Sequence, residues 1–270
     1  MAFEKKIAIV TGGASGIGRA LCEELALRGA TVFVADINLR GAEEVAGAIG
    51  ASAAHVDVRQ AAEVHALIDD AVKRHGRLDF IFNNAGIGVG GEIHELALEH
   101  WRTVIEINLM GVVHGVAAAY PLMVRQGAGH IINTASLAGL IASPGLAPYA
   151  ATKGAVVSLT NALRAEGKAL GVRASVVCPG FVDTAIYENA LGVKLGRKEL
   201  LDKLSLPVIP ASEAGRAILR GVERNRGVIV FPRSARFLWR LTRFSPWLLS
   251  PFQQRMIRQL RSVRRNSSAT

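Results

Sequence analysis

Cysteine is scarce in this chain. Its 270 residues include two, Cys22 and Cys178, too far apart for a CxxC pair or a metal-ligand spacing. A disulfide framework is thereby excluded, and a reducing compartment fits. The seven histidines form no ligand cluster, so no metal is expected. Aromatics make up only 6% of the residues, which argues against a ring-rich binding surface. Long apolar runs are few. Residues 107–124 carry no charge and approach the minimum length for a membrane span. Asn108, His114, Pro121 and two glycines interrupt them, and the segment reads as a buried helix. Residues 126–152 are also uncharged, but their Gly, Pro, Ser and Asn predict strand and loop. Met1 runs almost directly into a strand pattern, which predicts no signal peptide.

What is abundant is glycine, at 28 residues, in a chain that is half hydrophobic. That suits a tightly packed α/β protein. The net charge of +10 is concentrated: residues 233–265 hold nine arginines and no acids, while the remainder is nearly neutral, with 23 basic and 22 acidic residues.

Residues 6–10 form an apolar run that leads into Thr11-Gly12-Gly13-Ala14-Ser15-Gly16-Ile17-Gly18. A helical pattern follows to Arg28, then a second apolar run at 31–35 closed by Asp36. Strand, glycine turn, helix and strand in about 30 residues make a βαβ unit. Its strands lack polar alternation, which implies a sheet covered on both faces. Gly12, Gly16 and Gly18 allow positive φ and close approach of the backbone to a ligand. The helix N-terminus behind them suits a pyrophosphate. Asp36, about 20 residues beyond Gly16, stands where a ribose hydroxyl needs an acceptor. The same carboxylate would repel a 2′-phosphate, which favours NAD over NADP, although Arg19 and Arg40 lie near in sequence.

Further along, helices are expected near 40–49 and 61–75 and strands at 53–58 and 78–82. Asp57 is an adenine acceptor or a helix N-cap. The fourth strand ends in Asn83-Asn84-Ala85-Gly86, where small residues permit close cofactor approach. A helix from about 98 to 125 carries Asn108, an amide that needs partners in an apolar segment. The strand at 129–135 leads to Ser136. A glycine- and proline-rich loop then enters the helix bearing Tyr149-Ala150-Ala151-Thr152-Lys153, which runs to about 170. Tyr149 and Lys153 share a helix face at i and i+4. A nearby cation favours the phenolate, so the pair is a candidate proton-transfer device. A sixth strand at 172–177 ends at Pro179-Gly180. Residues 183–206 read as a mobile helical flap, apolar through Ala185, Ile186, Leu191, Val193 and Leu195. A helix at 212–224 and a strand at 227–231 follow.

In that order, the Thr11–Gly18 turn, Asn83–Gly86, Asn108, Ser136, Tyr149-x-x-x-Lys153 and Pro179–Thr184 make the chain resemble the short-chain dehydrogenase/reductase family, in its shorter oxidoreductase branch. The likeness covers about residues 4–232. It implies an α/β fold, a doubly wound parallel sheet of about seven strands. It implies Tyr149 as the acid/base on the substrate oxygen and Lys153 as the residue that lowers the tyrosine pKa and holds the nicotinamide ribose. Ser136 would donate to the substrate oxygen, and Asn108 would bind a water linking Lys153 to solvent. The cofactor contacts implied are Gly12, Ser15, Gly16, Ile17 and Gly18 at the pyrophosphate, Asp36 at the adenosine ribose, and Asp57 and Val58 near adenine. Asn84, Ala85 and Gly86 would flank the cofactor, and Gly180, Val182 and Thr184 would cover its nicotinamide end. The family pairs long helices across dimers and tetramers, and the apolar faces at 104–124 and 154–163 would serve for this.

Beyond residue 232 the chain departs from the family's usual length. Arg233, Arg236, Arg240 and Arg243 recur at helical spacing, with Phe237, Leu241 and Phe244 one position on, an amphipathic pattern. Ser245-Pro246 interrupts it. Ser250-Pro251 restarts a second helix with Phe252, Met256, Leu260 and Val263 on one face. Three readings fit: a tail packed on its own subunit or a neighbour over the active-site mouth, attachment to an anionic membrane surface, or, least favoured, nucleic acid.

The expectation is therefore a catalytic domain over 1–232 and a basic extension over 233–270. The activity expected is an NAD-dependent alcohol dehydrogenase or ketone reductase for a lipophilic steroid, retinoid or fatty alcohol. It would be a homodimer or homotetramer in the cytoplasm, or peripheral on a membrane. The alternative class is a dinucleotide-binding sensor or membrane-associated scaffold without turnover. A complete Asn108–Ser136–Tyr149–Lys153 set argues against it, since a pure binder needs no acid–base tyrosine.

Overall fold

Seven apolar runs pair side by side in parallel, because each would otherwise leave a hydrophobic face in water. This computed structural model describes residues 2–187, 190–192 and 207–251, with positions 253, 254, 257, 258 and 261. The strands are β1 (Ile7–Thr11), β2 (Thr31–Asp36), β3 (Ser52–His55), β4 (Phe80–Asn83), β5 (Gly129–Thr134), β6 (Val172–Pro179) and β7 (Val228–Phe231). Their order across the sheet is β7-β6-β5-β4-β1-β2-β3. The chain builds outward from β1 to β3, crosses back, and builds the other way from β4 to β7. β1 and β4 are neighbours, with Val10 level with Phe82. Ligands bind such sheets beyond the strand C-termini, where the order reverses.

The helices are α1 (Gly16–Leu27), α2 (Leu39–Ile49), α3 (Ala61–His75), α4 (Leu98–Ile105), α5 (Gly111–Gln126), α6 (Ala147–Gly167), α7 (Ala211–Glu223) and α8 (Arg233–Phe244). Alternation along the strands divides the core in two. Ala8, Val10, Val32 and Val34 meet Leu21 and Leu25 of α1 and Ile218 and Leu219 of α7. Ile7, Ile9 and Phe33 face the other way, onto Leu67 and Ile68 of α3 and Ala119 and Met123 of α5. Burial of each such Leu or Ile contributes about 2 kcal/mol. This is the doubly wound sheet that the sequence implies.

Residues Leu98–Gln126 form one helix, long and apolar enough to cross a membrane. Val104, Val112, Ala118, Ala119 and Met123 nevertheless turn into the core. The helix is broken in one place, by a π-helical turn at Glu106–Met110 that carries Asn108.

One expectation needs correction. β3 stops at His55 rather than continuing to residue 58, because its partner β2 ends at Asp36, level with His55. Val56 and Val58 stay buried without a ladder. Among the described residues of the segment expected as a helical flap, Ala185–Tyr187 form a short 3₁₀ turn and Leu191–Gly192 pairs in parallel with Val89–Gly90. Val193, Leu195 and the rest of that flap to residue 206 lie outside the described residues.

In the extension, α8 docks on the edge strand. Ala235 is buried, and the Arg236 guanidinium donates to the Val230 carbonyl at 3.0 Å through Nη2. A 3₁₀ turn at Pro246–Leu249 follows, and helix resumes at Ser250, as the Ser-Pro signals predict. Phe252, Met256, Leu260 and Val263, expected on one face there, lie outside the described residues.

Candidate active site

The site forms where the C-terminal ends of β1, β4, β5 and β6 converge, and Thr11 ties the first two together. Its Oγ1 donates to the Phe82 carbonyl at 3.3 Å and accepts from the amides of Asn84 at 3.0 Å and Ala85 at 3.1 Å. The Asn84 side chain answers, donating to the Thr11 carbonyl at 3.1 Å and accepting from Thr134 Oγ1 at 3.3 Å. Two glycines let the backbones close up. Gly12 has φ 68°, and a Cβ there would sit 2.9 Å from Ala85 Cα. A Cβ on Gly18 would collide with the Gly12 carbonyl. The result is a cradle with no side chains, opening at the N-terminus of α1. That is the shape a dinucleotide pyrophosphate requires, and Ser15 and Ile17 lie in the same turn.

Asp36 closes the far side of this cradle. One carboxylate oxygen accepts from Ala14 N at 3.0 Å and the other from Asn38 N at 2.9 Å. The acid is thus fixed at the tip of β2, where an adenosine ribose would lie. Both nearby arginines are engaged on their own helices, Arg19 with Glu23 at 2.8 Å and Arg40 with Glu44 at 3.4 Å. Asp57 is not the N-cap of α3; Gln60 holds that position. The Asp57 carboxylate is gripped by Arg59, with Nη2 at 2.6 Å, and this hydrogen bond holds its pKa below the ordinary value. Val58 is buried, and its carbonyl meets His114 Nδ1 at 2.9 Å. The residues expected at adenine therefore stand at the rim, with these polar groups already partnered.

At the other end of the cleft, Ser136, Tyr149, Lys153 and Asn108 come together. Ser136 caps the turn Leu137–Gly139, its Oγ accepting from Ala138 N at 3.2 Å. A Cβ on Gly139 would lie 2.6 Å from the Lys153 carbonyl carbon, so glycine there lets α6 press against the Ser136 turn. Lys153 is buried, and its Nζ donates to the Thr134 carbonyl at 2.8 Å. That nitrogen lies 5.7 Å from the centre of the Tyr149 ring. A Cβ on Gly86 would come within 3.4 Å of the same Nζ and 3.0 Å of Asn108 Oδ1. The Asn108 amide grips Ile87, with Oδ1 accepting from its N at 2.8 Å and Nδ2 donating to its carbonyl at 2.9 Å.

Charge in this pocket is governed by burial. Desolvation pushes Lys153 down to about 8. It also raises Tyr149 above its ordinary value, against the opposing hydrogen bond from Ser136. The sequence leads one to expect Lys153 to depress the tyrosine; with the protein's own groups alone, loss of water raises it and the Ser136 hydrogen bond is what pulls the other way. Cys178, beside them, is pushed up to about 12 by burial and is no nucleophile at neutral pH.

The remaining expected residues bridge the two ends. Gly180 N donates to the Phe231 carbonyl at 2.7 Å. Val182 is buried and pairs with Ile209. Thr184 reaches the glycine turn, where a Cβ on Gly16 would be 3.0 Å from its Cγ2. Sequence reasoning assigned no role to Thr11, Thr134 or Ile87. The one available signal was a hydroxyl at the end of two otherwise apolar strands. The tail also packs back on its own subunit: Arg261 pairs with Glu92 at 2.6 Å, and Gln253 Nε2 donates to the Ala142 carbonyl at 3.2 Å. That contact favours the packed-tail reading for its last part.

Comparison with known proteins agrees with this geometry. The family profile described as short chain dehydrogenase matches residues 6–191. Cyclohexanol dehydrogenase of Acinetobacter sp. (strain SE19) is 38% identical over 202 residues, covering 72% of this chain and 80% of the relative. Meso-2,3-butanediol dehydrogenase of Serratia marcescens is 35% identical over 187 residues, 68% of this chain and 74% of its own. The crystal structure of a short chain dehydrogenase/reductase from Burkholderia phymatum in complex with NAD superposes with a TM-score of 0.79 at 32% identity, covering 89% of this chain and 94% of that one.

Proposed function

The chain belongs to the short chain dehydrogenase family, and on that footing we propose that it interconverts an alcohol and its carbonyl, preferring NAD and a lipophilic substrate. Residues 1–232 are the catalytic domain and 233–270 its extension. The observation that carries the reading is the convergence of Ser136, Tyr149 and Lys153 around one point, with Lys153 Nζ fixed on Thr134 at 2.8 Å.

The residues present fit a dinucleotide: a cradle that a Cβ on Gly12 or Gly18 would fill, and a fixed carboxylate at Asp36. Gly12, Ser15, Gly16, Ile17 and Gly18 would hold the pyrophosphate, and Asp36 a ribose. Asp57 and Val58 would lie near adenine, Asn84, Ala85 and Gly86 along the cofactor, and Gly180, Val182 and Thr184 over the nicotinamide end. When bound, NAD supplies the hydride acceptor, or in reverse the donor. Tyr149 moves the proton at the substrate oxygen. Ser136 donates to that oxygen and stabilises charge that builds there. Lys153 holds positive charge beside the phenol and favours the phenolate as the alcohol loses its proton. Both ends of the Asn108 amide hold Ile87, and Asn108, in its π-helical turn, would bind a relay water linking Lys153 to solvent. π-helical turns of this kind recur at functional sites.

Preference for NAD follows from Asp36, since a 2′-phosphate about 4 Å away would be repelled by roughly 4 kcal/mol at an effective dielectric near 20. Ile186 and Ala190 bring apolar side chains over Gly88, where a Cβ would meet Ala190 Cβ at 3.3 Å and Ile186 Cγ1 at 3.6 Å, which supports an apolar substrate. The apolar faces of α5 and α6 would pair two copies, and two buried free thiols suit the cytoplasm. A screen of cyclic alcohols, hydroxysteroids, retinol and fatty alcohols, followed by near-ultraviolet absorbance of the reduced cofactor, tests the proposal. Cofactor reduction with at least one of them is expected, and tight NAD binding with none turned over would favour the sensor reading.

A further inference from the structure

Away from the cleft, guanidinium groups gather on the outer edge of the sheet. Arg226, Arg236 and Arg240, with Val228, Val230 and Trp239, line a cavity of about 250 Å³. Among the described residues no carboxylate stands within ion-pair distance of Arg226, Arg233, Arg236 or Arg240. Burial, together with Arg226, Arg240 and Arg233, holds Arg236 below its ordinary range. Arg243 lies over Trp239, its Cζ 5.7 Å from the ring centre. A protein that crowds like charges around a cavity leaves an attractive place for an anion.

Beside this cavity runs an uncovered apolar strip. Phe237 is 66% exposed, Phe244 88%, Trp247 82% and Leu248 54%. Phe237 and Phe244 are two turns apart on the side of α8 opposite buried Ala235, with Arg233 and Arg240 on the same outward side. Arg236 leaves the arginine row and turns to the sheet edge. The exposed side of α8 is therefore apolar along its middle and cationic at its flank, the pattern of a helix lying in a headgroup layer. A second copy of this chain fits poorly, since residues 233–265 carry nine arginines and no acid to answer them. A nucleic acid would use the arginines but would leave the phenylalanine and leucine strip in water.

We propose that α8 and the turn after it dock on an anionic phospholipid bilayer: Phe237, Phe244, Trp247 and Leu248 enter the acyl boundary, and the arginine-lined cavity takes a headgroup phosphate. Beyond the turn, Gln253 and Arg261 bond to Ala142 and Glu92 of the same subunit.

The test is co-sedimentation of the full-length protein with vesicles of phosphatidylcholine alone and of phosphatidylcholine with phosphatidylglycerol. Pelleting is expected with the anionic vesicles, roughly tenfold or more weaker without phosphatidylglycerol, and reduced as salt rises. The double variants Phe244→Ser/Trp247→Ser and Arg226→Gln/Arg240→Gln should each cut anionic-vesicle binding roughly tenfold while leaving NAD binding and the melting temperature unchanged. Undiminished pelleting by either variant would overturn the proposal. So would inorganic phosphate or a labelled oligonucleotide binding to a protein that ignores vesicles, or self-association that vanishes with Phe244→Ser/Trp247→Ser in the absence of vesicle binding.

Discussion

Lys153 donates its ammonium to the main-chain carbonyl of Thr134 over 2.8 Å, in a position almost closed to water. One hydrogen bond thus fixes α6 against the end of β5 and puts a cation next to the Tyr149 ring. The same burial that gives this contact its precision makes the charge costly to hold.

The cost has a sign that can be measured. Lys153 falls from 10.5 in the open chain to about 8 in the fold. Between those values the unfolded chain binds the extra proton, so stability contributed by this site rises as pH rises through that window. The full rise is about 3 kcal/mol. Urea unfolding of the wild type, compared with Lys153→Met, should show this increase between about pH 8 and pH 10.5, and the variant should lack it. Parallel curves would mean that Lys153 is not desolvated as described.

His130 supplies the acid-side counterpart. It is buried on β5, its Nε2 2.8 Å from Ser175 Oγ, and Ser175 donates in turn to the Arg226 carbonyl at 2.7 Å. The histidine must then donate through Nε2, and burial favours its neutral form. Desolvation, with Arg173 and Arg164 nearby, pushes it from 6.5 to about 3. A depressed folded value means stability is present above 6.5 and lost as pH falls towards 3, by up to about 5 kcal/mol. Replacement by Gln, which keeps a donor but does not titrate there, should flatten the acid limb of a thermal-melting profile. An unchanged acid limb would place the protonation elsewhere.

In the proposed function cofactor choice rests on Asp36, whose two oxygens accept from Ala14 N and Asn38 N. Asp36→Asn keeps an acceptor oxygen and removes the charge. Relief of about 1–4 kcal/mol of repulsion should raise the kcat/KM ratio of NADP to NAD roughly tenfold or more. A ratio unmoved by the substitution would show that the 2′ position does not face this carboxylate.

Much of this was readable in the residues. Strand placement followed from unbroken apolar runs, and the crossover followed from helix patterns alternating with them. The closeness of Tyr149 and Lys153 was readable because both are local to one helix. What was not readable depended on contacts between distant segments. β3 ends early because β2 does, which its own sequence does not record. Thr134 matters through a carbonyl, which every residue has. Asn108 sits in a π-helical turn that gives no periodic signal, and the balance of burial against charge at Tyr149 emerges only once α6, Ser136 and Cys178 enclose the phenol. In α8 the periodicity was correct, but only packing shows that Arg236 faces inward while Phe237 and Phe244 face out.

The central claim is that the Tyr149 hydroxyl carries the proton exchanged with substrate. The measurement that tests it most directly is steady-state turnover of Tyr149→Phe on the best alcohol from the screen, alongside NADH binding by fluorescence. The account predicts a loss of kcat of roughly 10²–10⁴-fold with cofactor affinity nearly unchanged; full activity in Tyr149→Phe would contradict it.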